Sequence, residues 1–194
     1  MDAESMGCWA QLRNAVGCPR QQYRRPGRGM SFSGRIGAQD TMNVPLEKLT
    51  GRGAYVVALE VHDTVRGGRL GRLAFDGCYG YVGSALGPGG FRRVSRHLSY
   101  RGRPVVRPRW HIDWLLAAGR LQGAVLGATE ERVECALARA LSQRAEPVSD
   151  GFGCSDCACA THLYRFTGVA DGLGVAEAAM REMGLTSKTL RTTG

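Results

Sequence analysis

The chain has 194 residues and a formal net charge of +9. That length suits one domain with a proper core plus tails. No run of about 18 apolar residues occurs, which excludes a membrane-spanning helix. Met1-Asp2-Ala3-Glu4-Ser5 carries early acids and no apolar stretch, which argues against a secretory leader.

Arginine carries almost all the positive charge, because Lys48 and Lys188 are the only lysines. Codon bias is one source of such a balance; an anionic partner, most simply nucleic acid, is the other. Position favours the partner. Between Asp76 and Asp113 there is no acid, while Arg92, Arg93, Arg96, Arg101, Arg103, Arg107 and Arg109 all fall there. Seven cysteines at uneven spacing do not form a secreted disulfide pattern. They read as reduced thiols of a cytoplasmic protein, either free or holding a metal.

Residues 1–45 are Gly- and Arg-rich without periodicity and predict a disordered basic arm. Such an arm either adds phosphate contacts or is an extension without a role. Order is expected from about Val44, with a domain over 46–168 and a tail over 169–194. Ala54 to Val61 is β-rich and predicts a strand. Arg66-Gly67-Gly68-Arg69 signals a turn, Leu70 to Phe75 a return strand, Asp76-Gly77 a second turn and Cys78 to Ser84 a third strand. Gly87-Pro88-Gly89-Gly90 then breaks the chain before a helix whose Phe91, Val94 and Leu98 share one face.

Residues 99–109 predict a basic loop and Trp110 to Ala118 a short helix. Leu121 to Ala128 is β-like. Thr129 predicts a helix N-cap, with Glu130 and Glu131 in the first turn, for a helix reaching about Arg144. Val133, Ala136, Leu137, Ala140 and Leu141 make its buried stripe. Asp150 to Thr161 is a Gly/Cys-rich loop, and Leu163 to Phe166 a last short strand. Beyond Gly168 only Val175 to Met183 looks helical, with a frayed end. The pattern predicts an α/β fold, a small mixed and mainly antiparallel sheet flanked by helices.

Gly53-Ala54-Tyr55 and Gly80-Tyr81-Val82-Gly83-Ser84 each hold a tyrosine in a Gly-flanked β run. Arg93 and His97 follow on one helix and Glu134 on another. This order resembles the GIY-YIG nuclease superfamily. Three segments resemble a small prokaryotic branch of it, sometimes fused to endonuclease III-type repair enzymes. They are Tyr79-Gly80-Tyr81-Val82-Gly83-Ser84-Ala85, Trp110-His111-Ile112-Asp113, and Gly151-Phe152-Gly153-x-Ser155-Asp156-Cys157-x-Cys159-x-x-His162-Leu163. The resemblance covers about residues 46–168.

It implies metal-dependent hydrolysis of DNA phosphodiester bonds, with a setting in DNA repair. One divalent ion, Mg²⁺ or Mn²⁺, would be held by Glu134. Tyr55 would help activate water, Tyr81 would hydrogen-bond water or phosphate, and Arg93 would hold the scissile phosphate. His97 stands where the superfamily often has a histidine or tyrosine. Arg92, Arg96, Arg101, His111 and Asp113 are the expected substrate contacts. Helix geometry agrees independently: Arg93 and His97 are i, i+4 neighbours on the border of the apolar stripe. Glu134 likewise borders Val133, Leu137 and Leu141. Ala54 stands in place of the usual isoleucine, and no asparagine follows the glutamate. A binding module of the same fold without cleavage is therefore the alternative reading.

Cys154, Cys157, Cys159 and His162 are four soft ligands within nine residues, a set that zinc takes tetrahedrally. Structural zinc sites usually draw on two separated segments, however, and the branch's motif covers only Cys157, Cys159 and His162. Either they bind zinc, which would also suit a zinc-stabilised interaction domain, or they shape the cleft with Ser155 and Asp156.

Overall fold

The computed structural model describes residues 49–100, 108 and 110–192. The expected N-terminal arm and Arg101, with most of its basic loop, lie outside the described residues.

β1 (Gly53–Arg66) is apolar on both faces from Ala54 to Leu59, where it is central in a sheet covered on both sides, and turns mostly polar beyond Val61, where β3 stops flanking it. It pairs antiparallel with β2 (Arg72–Ser84) in an unbroken register from Ala54↔Ser84 to Arg66↔Arg72. A short 3-10 turn at Gly68–Leu70 closes this hairpin. The predicted turn at Asp76-Gly77 does not form. Asp76 pairs with His62 and Gly77 with Val61 in mid-strand. An Asp-Gly pair makes a turn only where the chain must reverse, and here β1 is long enough to partner the whole run.

α1 (Arg92–Ser99) and α2 (His111–Ala118) follow, then β3 (Gly119–Ala128). α3 spans Glu134–Ser142 and starts later than Thr129 suggested. Thr129 Oγ1 accepts the Glu131 N–H in a local turn instead of capping the helix. β4 (Glu146–Pro147) and β5 (Leu163–Phe166) enclose the Gly/Cys-rich loop.

The expected tail is instead part of the fold. α4 spans Val169–Glu182, and β6 spans Ser187–Arg191. Gly172 and Gly174 disguise α4 in the sequence. Gly172 is needed because a Cβ there would meet the Phe166 ring at 2.8 Å. Leu173, Ala176 and Met180 are fully buried at helical spacing and carry the helix.

The six strands run β4-β5-β2-β1-β3-β6, and every pairing is antiparallel. The result is an α/β fold, with four helices flanking the antiparallel sheet among the described residues. Tyr55, Val57, Leu59, Tyr79 and Tyr81 face α1 and α2 in one core. Ala54, Val56, Ala58 and Val82 face α3 and α4 in the other. Among the described residues no helix is long and apolar enough to cross a membrane.

Candidate active site

Tyr55 and Tyr81 sit on neighbouring strands and the same face, since Tyr55 pairs with Gly83 and Val57 with Tyr81. Their separation in sequence is only the length of the hairpin. Gly83 makes the pair workable: a Cβ there would lie 2.4 Å from Tyr55 Cζ. The glycine of the Tyr-Val-Gly-Ser run is thus the seat of the Tyr55 ring.

α1 packs on this face through Phe91, Val94 and Leu98. That packing buries His97 and brings its Nε2 to 3.2 Å from the Tyr55 hydroxyl. Burial, aided by the Arg96 charge, lowers the His97 pKa from 6.5 to about 4, so the ring is neutral. Burial also raises the Tyr55 phenol above its usual range, although Arg93 pulls it the other way. Tyr81 is raised by the same cause. Both tyrosines therefore keep their protons at neutral pH, and one proton lies between Tyr55 and His97.

Arg93 is half-buried. Its guanidinium donates to the Ser84 carbonyl at 3.1 Å and lies 5.9 Å from the Trp110 ring centre. Trp110 is the exposed large hydrophobe among the described residues, at 54 %. His111 starts α2 against Phe152 and Trp114. Its Nδ1 accepts the Gly153 N–H at 2.7 Å, which leaves the proton of the neutral ring on Nε2. Burial lowers the His111 pKa and favours that neutral form.

α3 packs on the opposite face of the sheet, yet Glu134 opens the helix and reaches the same cleft. Glu134 Oε1 lies 3.3 Å from His162 Nδ1, close enough for an ion pair but not aligned as a hydrogen bond. His162 is 1 % exposed.

These groups line one cleft of about 730 Å³. Tyr55, Tyr81, Arg93, His97 and Glu134 all border it, as do Arg96 and His111. Arg92 is exposed on α1 and does not border it. Asp113 does not border it either: its carboxylate accepts the Trp110 N–H and caps α2. Arg132 borders the cleft and was missed from the sequence. It precedes α3 without a motif around it, and only the arginine excess pointed its way.

Cys135, Cys157, Cys159 and His162 form a group whose ligand atoms all lie within 4.8 Å of one another. Such a group could hold a metal ion. Cys154 is not in it; Cys135, next to Glu134 on α3, takes the place expected of Cys154. Burial raises the Cys154 and Cys159 thiols above their ordinary range.

A three-layer α/β protein with a basic, tyrosine-floored cleft at one end of an antiparallel sheet is thereby defined. The chain belongs to the family described as domain of unknown function DUF123, whose model matches residues 54–185. Comparison with curated proteins and with solved structures found no match.

Proposed function

We propose that this protein is a metal-dependent endonuclease-like domain that hydrolyses DNA phosphodiester bonds in the manner of the GIY-YIG nucleases, with a role in DNA repair. One observation carries the reading. Tyr55 from β1, Tyr81 from β2, Arg93 and His97 from α1 and Glu134 from α3 meet in one cleft, although they are far apart in sequence.

Hydrolysis needs a water deprotonated, negative charge stabilised and a leaving oxygen served. Tyr55 takes the water proton on its oxygen while passing its own to His97 Nε2. His97 offers an unprotonated nitrogen for it, and a phosphate's negative charge in the cleft would restore the basicity that burial and the Arg96 charge lower. Arg93, fixed by the Ser84 carbonyl, meets the charge that builds on the phosphate. Tyr81 and the His111 Nε2–H are further donors to phosphate oxygens.

Magnesium takes hard oxygen ligands and keeps several waters, so one or two carboxylates suffice to hold it. Glu134 and Asp156 both border the cleft and fit that need. Mg²⁺ or Mn²⁺ held there supplies Lewis-acid stabilisation of the phosphoryl oxygens. The Cys/His group, with its soft donors, suits zinc instead. Reduced thiols fit a cytoplasmic setting.

A second reading has its own observation. Arg93, Arg96, Arg132 and the exposed Trp110 together suit a DNA-binding module without cleavage. The test is cleavage of varied DNA structures with Mg²⁺ or Mn²⁺, wild type against Glu134→Ala. The endonuclease reading expects cleavage by the wild type and a loss of about 10²-fold or more in Glu134→Ala. Binding without cleavage under every condition would hand the protein to the second reading.

A further inference from the structure

The group at Cys135, Cys157, Cys159 and His162 comes from two places in the chain. Cys135 lies in the first turn of α3, and the other three lie in the loop before β5. Two separated segments are what structural zinc sites usually draw on. In a tetrahedral site with Zn–S of about 2.3 Å and Zn–N of about 2.0 Å, ligand atoms stand about 3.5–3.8 Å from one another. Cys157 Sγ and His162 Nε2 stand 3.6 Å apart. The remaining distances, all within 4.8 Å, need only small side-chain rotations.

His162 adds a second, independent observation. It is 1 % exposed, and its Nδ1 is a buried polar atom without a hydrogen-bond partner. Its two nitrogens point at different neighbours: Nε2 at Cys157, Nδ1 at Glu134 Oε1 3.3 Å away. A histidine that binds a metal through one nitrogen typically gives its other N–H to a carboxylate. The ring is already set for that division, and a small turn would align Nδ1–H with Glu134.

We propose that Cys135, Cys157, Cys159 and His162 Nε2 bind one zinc ion, and that this ion holds Glu134 in place through the His162 Nδ1–H. The zinc is structural: four protein ligands close its sphere and leave no position for substrate. It ties the start of α3 to the loop that carries Phe152 and Gly153, on opposite layers of the sheet. Glu134 engages His162 through one oxygen and keeps the other for the cleft. The zinc site stands whether or not the cleft cleaves DNA, so failure of one reading does not decide the other.

Metal analysis of the full chain, purified under reducing conditions without chelator, tests it. About one zinc per chain is expected. Chelator-stripped protein should take up Co²⁺ and show the strong visible bands and thiolate charge-transfer absorption of a tetrahedral site. Cys135→Ser should lose the zinc, and Cys154→Ser should keep it. The Co²⁺ titration of wild type keeps the proposal open to refutation if Cys135→Ser does not fold. Three results would overturn it. They are a reduced wild type that takes up neither metal, a disulfide among these cysteines in place of a metal, or zinc lost from Cys154→Ser but retained by Cys135→Ser. The link to Glu134 has its own readout. In competition with a chromophoric chelator, Glu134→Gln should bind zinc about 10–100-fold more weakly. Unchanged affinity would refute the link while leaving the site.

Discussion

Acid should unfold this protein early, and His97 should be the cause. Its pKa falls from 6.5 to about 4 on folding, because burial penalises the imidazolium and Arg96 adds repulsion. A depressed pKa means the unfolded chain binds the proton more readily. The neutral ring's contribution is therefore whole above about pH 6.5 and is lost as pH falls toward 4. At pH 5 the unfolded residue is nearly fully protonated and the folded one only about a tenth. The difference amounts to about 2 kcal/mol between pH 7 and pH 5. The groups facing the ring are Tyr55, Arg93, Arg96 and Asp113. Urea unfolding at both pH values, wild type against His97→Gln, isolates this residue from the other histidines. Wild type should lose about 2 kcal/mol more than the variant. Equal losses would mean that folding does not lower the His97 pKa, and burial would not be what keeps the ring neutral.

Arg93→Ala should slow DNA cleavage about 10²–10³-fold at saturating DNA while weakening binding far less, since Arg96 and Arg132 remain; single-turnover rates beside a salt-titrated binding curve check this. Gly83→Ala should cost about 1–3 kcal/mol in urea unfolding, because its Cβ must displace the Tyr55 ring. Trp110→Ala should weaken binding to single-stranded DNA by about 1–3 kcal/mol in a fluorescence-anisotropy titration, with little change in stability, as the ring is exposed.

Much of this molecule was legible in its sequence, and the reasons differ by element. Phe91, Val94 and Leu98 predicted the buried face of α1 because a helix on a sheet must bury one stripe. β1 was legible from its apolar run. β6 was not: Ser187-Lys188-Thr189-Leu190-Arg191 has one buried residue, and its strand form comes from pairing with β3. Asp76-Gly77 misled for the same reason, since a distant partner outweighed a local signal. In the cleft, ordered motifs pointed to Tyr55, Tyr81, Arg93, His97 and Glu134. Asp113 was expected to contact substrate and instead caps α2, a role that only the chain's local turn reveals. Cys135 was hidden because a ligand from another element leaves no spacing to read.

The two outer strands of the sheet decide how this molecule meets copies of itself. β4 is two residues long and ends in Pro147, which has no N–H for an incoming strand. β6 carries Lys188 and Arg191 along the other rim. One border thus offers almost no ladder to extend, and the other sets like charges against any identical strand. The valine-rich half of the β1–β2 hairpin lies inside the sheet between β3 and β5, whereas its tip beyond Val61 and before Cys78 has no further strand beside it among the described residues. The ladder is thus guarded at both rims, and what stands without a neighbouring strand is the charged tip of the hairpin, with His62, Asp63, Arg66 and Arg72.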